Sequence, residues 1–376
     1  MGIYAIIKNI NKEKSHAMKH TILITAISVA CISGENAFAS HFYTNAVSAH
    51  NITAIQHTIA QTAFASFDGP MARAIAHQPY NQQETNEDPA TTYGHTPMYG
   101  TMSIYGEYND DGRNGGDSIS PRQTISNAWL NWQYIGNDTK HDEIAHLESK
   151  YNLYMGGLTS GRTKFGDANA AWGIYTGYID GFASNHTIKS DSNGGVFGIY
   201  NRYQDKKLNI STTINGGVIN NITNTIFGID ETTNFWIGGI VNTTYNITID
   251  NTFTLQPNLQ IGYTWIKSEN YTSASGDIIS NDAFNMTEFT PGISAIKHIG
   301  NNWFGEIGVK HIMIFDNGGD IKVNGHAIDA LTNHNFTEYA ISLEKAAGPI
   351  ALRANIGRRD GSRSGWIGGL NFKYLF

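Results

Sequence analysis

From about residue 125 to its C-terminus, the chain repeats a two-residue alternation of apolar and polar side chains. Between Phe253 and Trp265, the odd-numbered residues are apolar or aromatic and the even-numbered residues are Thr, Gln, Asn or Gly. Side chains on a β-strand point alternately to opposite faces, so this period predicts a strand with one oily face and one polar face. Residues 208–218 and 350–357 repeat the split.

About twelve such segments follow one another, each near or above the roughly 9 to 11 residues that a tilted membrane-crossing strand needs. Tight turns such as Gly300–Asn301 alternate with longer polar loops such as Ser268–Asn285 and Asp316–Asn333. Short turns at one end and long loops at the other are typical of a transmembrane barrel, and an even strand number returns the C-terminus to the short-turn side. The predicted strands are residues 125–136, 147–158, 170–184, 194–205, 207–219, 234–248, 252–267, 286–298, 302–315, 335–346, 349–359 and 365–376. The other predicted tight turns are 205–207, 250–251 and 347–348, and the other predicted loops are 220–233 and 360–364.

The composition separates a membrane barrel from a soluble β-sandwich, which also alternates. Only 15% of the residues are charged, against about 25% in a typical soluble domain. The polar faces carry Asn, Thr, Gln, Ser and Gly, which suit a wet lumen, and the other faces carry aliphatic and aromatic residues, which suit outer-membrane lipid. We therefore predict an all-β fold, an antiparallel transmembrane β-barrel. The net charge of −7 argues against nucleic acid as a partner, because nucleic acid selects clustered Lys and Arg.

Residues 1–39 are predicted to be a signal peptide. Four lysines precede the apolar stretch Thr21–Ile32, and Ala37-Phe38-Ala39 has the small-x-small form of a cleavage site, with Ala37 and Ala39 as the small residues. Met18 is an alternative start. The single cysteine, Cys31, leaves with the signal peptide unless it is a lipid-attachment residue, for which its context is poor.

Residues 40–124 are predicted to be a short N-terminal segment made of a helix and a polar linker. Ile52, Ile55 and Ile59 follow helical spacing within Asn45–Phe67. At 1.5 Å per residue this helix would be about 35 Å long, enough to traverse a barrel. It either lies in the pore or packs on the periplasmic mouth or a small passenger, and its distance from the first strand argues against the pore. Met98–Tyr108 also resembles a strand, but a thirteenth strand would put the C-terminus on the wrong side.

The C-terminus carries the most specific motif. Phe376 is preceded by Tyr374 and Phe372, two and four residues earlier. This ending resembles the signal by which the barrel assembly machinery recognises bacterial outer-membrane barrels. Together with twelve strands at the C-terminus and a helix upstream, residues 125–376 resemble the translocator β-barrel domain of autotransporters (type V secretion), here with a very short passenger.

The resemblance implies an outer-membrane protein that carries its own N-terminal segment to the cell surface through its pore. It implies protein transport without a cofactor or nucleotide, with the barrel assembly machinery and periplasmic chaperones as partners, and we expect a monomer. Two alternatives are a resident porin-like channel plugged by the helix and an adhesin that binds through its long loops. A further possibility is a remnant of a longer gene whose passenger was lost.

Strand parity predicts a set of charged side chains inside the barrel. A Lys or Arg on the lipid face would cost about 2 to 4 kcal/mol at the membrane midplane, so charges favour the lumen. There they would pair with one another or contact the helix. The predicted lumen charges are Lys150, Glu288, Glu306, Lys310, Glu338, Glu344, Arg353 and Lys373. Trp236, Trp265, Trp303 and Trp366, near strand ends, are predicted to form the aromatic girdle.

The sequence offers no convincing catalytic, cofactor-binding or metal site. In His141–His146 the two histidines are five residues apart in a predicted loop, whereas the zinc-protease motif needs them four apart on a helix. Gly361–Gly365 has Arg where a nucleophile elbow needs Ser. We therefore expect no enzymatic activity.

Overall fold

A computed structural model describes four helical residues, Ile52, Ile55, Thr58 and Ile59, and most of the chain from residue 125 to residue 376. The second part is interrupted at 142–143, 161–162, 166–167, 186–187, 206, 226 and 329–334. Ala37, Ala39 and the possible strand Met98–Tyr108 lie outside the described residues. Within the described part, no helix has the length and apolar character needed to cross a membrane.

Twelve long strands form the body of the structure, confirming the predicted all-β barrel. Six shorter strands lie in the turns and loops between them. The twelve long strands are β1 (Ile125–His141), β2 (Ile144–Ser160), β3 (Ala168–Ser184), β4 (Lys189–Gln204), β5 (Leu208–Thr225), β6 (Gly228–Tyr245), β7 (Phe253–Ser268), β8 (Phe284–Gly300), β9 (Trp303–Gly318), β10 (Phe336–Ala347), β11 (Ile350–Gly361) and β12 (Arg363–Leu375).

The barrel is closed by pairing of its first and last strands. Each long strand pairs antiparallel with the next, and β12 also pairs with β1, with Asn131 opposite Asn371. A closed sheet has no free edge, so the backbone N–H and C=O groups of the wall bond within the sheet rather than facing lipid. Asn127 lies opposite Leu375 at one rim, here called the lower rim, and Thr139 lies opposite Arg363 at the other, the upper rim.

The two faces of the wall divide as the alternation predicts. On β7, the side chains of Ile261 and Tyr263 are about half exposed on the outside, whereas Gln260 and Thr264 are buried on the inside. The same holds on β11, where Leu352 and Ile356 face outward. An apolar outer face favours burial in lipid, and polar inner residues satisfy one another in the lumen.

Two predicted loops are wrong in their extent. The segment 220–233 continues β5 and β6 as a tall hairpin, with Asn220 paired to Thr233 and Thr225 paired to Gly228. The segment 360–364 is mostly strand, because Gly361 ends β11 and Arg363 begins β12. Asn, Thr and Gly are frequent in turns as well as in a polar inner face, so composition alone does not distinguish the two.

The other two long loops build a small sheet above the upper rim. The strands Tyr271–Thr272 and Ile278–Asn281 come from the loop after β7, and Ile321–Val323 and His326–Ile328 come from the loop after β9. Ile279, Ile321 and Val323 are buried together and form the core of this sheet. Long connections therefore cluster at the upper rim, which identifies it as the extracellular end of a barrel.

Aromatic rings on the inner wall pack against glycines of neighbouring strands. A Cβ added at Gly198 would lie 2.3 Å from the Tyr175 ring, and one added at Gly217 would lie 2.7 Å from the Trp236 ring. Glycine allows this approach because it has no side chain. This contact corrects the girdle prediction for Trp236, which is buried inside the barrel.

Candidate functional site: the barrel lumen

The inner face of strands β8 to β12 carries most of the predicted charged residues. Glu288, Glu338, Glu344 and Lys373 are each buried on that face. The other three, Glu306, Lys310 and Arg353, line a cavity inside the barrel together with Glu338. These seven side chains therefore share one sector of the lumen.

Lys150 departs from the parity prediction. Its neighbours Ser149 and Tyr151 are buried on the inner face of β2, so Lys150 points outward, where its Nζ lies 2.6 Å from Glu148 Oε1. The prediction for Lys150 is wrong because β2 has large apolar or aromatic residues on both faces, such as Leu153 inside and Tyr154 outside. The outer face therefore cannot be recognised on this strand from composition alone.

Two ion pairs stabilise the charged sector. Arg353 Nη2 donates to Glu306 Oε2 at 3.0 Å, and Arg359 Nε donates to Glu338 Oε2 at 3.1 Å. The side chains of Arg359 and Glu338 are 1% and 2% exposed. A buried pair of this kind requires additional hydrogen bonds to offset the loss of water. Arg359 Nη1 makes one of them by donating to Asn137 Oδ1 at 3.1 Å.

Sequence reasoning missed Arg359 and Arg363, which are both 1% exposed on the inner wall. Each guanidinium lies about 5.5 Å from the Phe336 ring, so the ring is in contact with both cations. The predicted boundaries end a strand at Arg359 and place Arg363 in a loop. Strand parity could have identified Arg359, because it lies six residues after Arg353 and an even spacing keeps two strand residues on the same face.

The four described helical residues lie inside the barrel. Ile52, Ile55 and Ile59 are at most 1% exposed and belong to one apolar cluster with inward-facing wall residues such as Ile135 and Ile314. Thr58 accepts a hydrogen bond from Arg359 Nη2 at 3.4 Å. These residues therefore occupy the lumen, against the expectation from their sequence distance to the first strand.

A cluster of aromatic residues fills the lumen along strands β1 to β4. Trp129 Nε1 donates to Tyr200 Oη at 2.8 Å, and the rings of Trp129, Tyr175 and Tyr200 have centroids 5.8 to 6.3 Å apart. Tyr175 Oη and Thr213 Oγ1 lie 3.1 Å apart. The polar atoms of this aromatic cluster are thus bonded within the wall, and the rings exclude space from that side of the lumen.

Away from the aromatic cluster, the lumen contains a cavity of about 170 Å³. Most of its lining residues come from β6 to β12 and β1, and amide side chains are the largest group among them. The amides are Asn131, Gln133, Asn242, Gln256, Asn258, Gln260, Asn355 and Asn371. Such a lining presents both donors and acceptors and little net charge.

The C-terminal aromatic residues lie on the outer face of β12. Phe372, Tyr374 and Phe376 are 39%, 40% and 52% exposed, and the last two rings meet edge to face at 5.3 Å. Trp303 and Trp366 also point outward. These positions form part of the lipid-facing surface.

The described residues contain no group of three or more His, Cys, Asp or Glu that could hold a metal ion. His141 ends β1 and Ile144 begins β2, so the His141–His146 segment spans a hairpin at the upper rim rather than a helix. The geometry built by the described residues is that of a filled polar pore.

Comparisons with known proteins agree with this geometry. The family model described as the autotransporter beta-domain matches residues 129–363. Comparison with curated protein sequences gives no match.

Three solved structures share the barrel. The transport unit of the autotransporter AIDA-I from Escherichia coli has a TM-score of 0.57 and 15% identity, covering 69% of this chain and 93% of that one. The beta domain of the Bordetella autotransporter BrkA has a TM-score of 0.56 and 13% identity, covering 67% and 100%. The translocator domain of autotransporter NalP from Neisseria meningitidis has a TM-score of 0.53 and 13% identity, covering 68% and 90%.

The likeness to these structures concerns the fold, and the family match covers more than half of the chain. The family match places the barrel in a bacterial outer membrane. The chain therefore belongs to the autotransporter beta-domain family.

Proposed function

We propose that the barrel carries its own N-terminal segment, residues 40–124, through the lumen to the cell surface. The observation that supports this most directly is the position of Ile52, Ile55, Thr58 and Ile59 inside the barrel. A segment that lies 65 residues upstream of the first strand is thereby already in the pore. The family to which the barrel belongs supports the same role.

In this proposal the barrel moves a polypeptide and itself performs no covalent chemistry. The barrel needs lipid around its apolar outer face, and folding of the chain during assembly supplies the driving force. Phe372, Tyr374 and Phe376 would be recognised by the barrel assembly machinery, with periplasmic chaperones keeping the unfolded chain soluble. The signal peptide would be removed after Ala39, and the protein would act as a monomer without a cofactor or catalytic residue.

The test is an epitope tag inserted after Ser40. On intact cells, added antibody or protease should reach the tag, while heat-modifiable migration on a gel verifies that the barrel is folded. A tag that is protected until the outer membrane is permeabilised would contradict the proposal, because the segment would then be periplasmic. The chain would in that case be a plugged channel.

A second candidate function follows from the ordered sheet above the upper rim. Two separate loops pair through Ile279 and Val323, and this rigid surface faces outward from the cell in the proposed orientation. An adhesin would bind through it. Replacing both loops by short turns should then abolish surface binding and leave barrel assembly intact.

A further inference from the structure

Two adjacent side chains in the lumen have unsatisfied hydrogen-bonding groups. Asn131 on β1 and Asn371 on β12 are register partners at the seam that closes the barrel. They are 7% and 6% exposed and both line the cavity. Asn131 Oδ1 and Asn371 Nδ2 have no hydrogen-bond partner among the described residues.

An unsatisfied buried amide group destabilises the protein, because it has lost its hydrogen bonds to water without gaining others. The two groups are complementary, since Asn131 offers an acceptor and Asn371 offers a donor. A peptide backbone presents the matching N–H donor and C=O acceptor at every residue other than proline.

The surroundings fit a chain that carries little charge. The cavity beside the pair has amides on β6, β7 and β11. The ion pairs Arg353–Glu306 and Arg359–Glu338 neutralise four of the charges on the same side. Residues 40–67, which include the helical residues in the lumen, contain no Asp, Glu, Lys or Arg.

The opposite side of the lumen is closed. The rings of Trp129, Tyr175 and Tyr200 pack against glycines. Their polar atoms form hydrogen bonds with one another and with Thr159 and Thr213. The polar atoms of these three rings are therefore already bonded and are not available to a passing backbone.

We propose that the Asn131–Asn371 pair and the adjoining amide-lined cavity are the surface along which the N-terminal segment moves, bonded through its backbone. This rests on the proposed function. The route is off the barrel axis, at the β1–β12 seam and along β6 to β11, and its substrate is an extended polypeptide recognised without regard to sequence.

The test combines substitution and crosslinking in the full chain with the tag after Ser40. In the variant N131L/N371L, two unsatisfied amides are replaced by side chains of similar volume. The folded barrel should be as resistant to urea as the parent or more so, whereas the rate of tag exposure should fall about tenfold. A merely structural role would lower stability and exposure together.

A photo-crosslinking amino acid at position 371 locates the contact, with position 209 as the matched control. Asn209 is also an inward-facing asparagine, but it accepts a hydrogen bond from Arg202 and does not line the cavity. Crosslinks to the N-terminal segment should come from position 371 and not from 209.

Equal crosslinking from both positions, or unchanged tag exposure in N131L/N371L, would overturn the inference and leave the proposed function intact. A parent chain whose tag never reaches the surface would overturn both.

Discussion

Arg359 joins three parts of the molecule through one side chain. It pairs with Glu338 on β10, donates to Asn137 on β1, and donates to Thr58 of the helical segment. The wall contacts are buried and short, and the contact with Thr58 is longer. The ion pair therefore holds the guanidinium in place. Thr58 of the helical segment then bonds to a side chain whose position the wall already fixes.

Replacing Glu338 by Gln should strongly destabilise the barrel. The change leaves the buried Arg359 cation without its counter-charge, which typically costs about 3 to 5 kcal/mol. Urea unfolding in lipid vesicles, followed by heat-modifiable migration, measures the effect. Asp191→Asn removes the half-exposed pair with Lys189 and should change stability by less than about 1 kcal/mol. Equal effects from the two variants would contradict the assigned burial.

Gly198 is a position where any side chain meets an aromatic ring. Gly198→Ala should reduce the yield of folded barrel severalfold, because the new Cβ would lie 2.3 Å from the Tyr175 ring. Gly195→Ala on the same strand is the control, since its nearest contact is 3.8 Å away. The ratio of folded to unfolded bands on a gel without heating measures both. A well-folded Gly198→Ala variant would refute close ring packing here.

Among the elements, β12 closes the barrel and also ends the chain. Phe376→Ser should lower the amount of assembled barrel severalfold without changing synthesis, because it removes an aromatic side chain that is 52% exposed on the outer face. Leu375→Ser changes the neighbouring residue, which contacts buried Phe304, Ala346 and Ala351 instead. Quantifying barrel in outer-membrane fractions distinguishes the two. A stronger effect of Leu375→Ser would argue that packing, rather than the terminal aromatic, controls assembly.

The upper sheet depends on Asn324, which links its two loops. Asn324 has a left-handed φ of 51°, its Oδ1 accepts from the Ile278 N–H, and its Nδ2 donates to Asp277 Oδ1. Asn324→Ala should cost about 1 to 2 kcal/mol locally through lost bonds and backbone strain. Surface proteolysis of the loops on intact cells should then accelerate. Lys322→Ala, which removes only a half-exposed pair with Asp282, should leave the proteolysis rate unchanged.

The elements were largely predictable because a membrane wall imposes a strict two-residue period. The predicted strands match the observed ones closely from β7 to β12, where outer faces such as Leu259, Ile261 and Tyr263 are consistently apolar. The period weakens where the inner face is also apolar, as at Tyr151 and Trp236, and the predictions for Lys150 and Trp236 are wrong for this reason. Rings that pack on glycines bring together residues from different strands. The alternation along a single strand therefore does not predict these contacts.

The whole molecule should conduct ions poorly. Aromatic rings fill one side of the lumen, and the helical residues pack on inward-facing wall residues, with Thr58 lining the cavity of about 170 Å³. Deleting residues 45–67 should raise single-channel conductance in planar bilayers severalfold. Conductance unchanged by the deletion would mean that other residues block the pore.

The lumen was less predictable than the wall. Strand parity placed Glu306, Glu338 and Arg353 on the inner face but could not show which cation meets which anion, since that depends on the stagger of neighbouring strands. The position of the helical residues in the lumen depends on how the barrel closes around them. No local sequence pattern predicts that position.

The unequal lengths of the strands give the molecule a slanted opening. Strands β10 to β12 have 12 or 13 residues, whereas β9 has 16 and continues six residues past Ile312, the last β9 residue that pairs with β10. At about 3.3 Å per residue, the wall steps down by about 20 Å along the strand direction. Among the described strands, those that carry Arg359 and Arg363 therefore lie on the lowest part of the upper rim, so a polypeptide that left the lumen beside these two residues would emerge closer to the lipid surface than one that left beside β9.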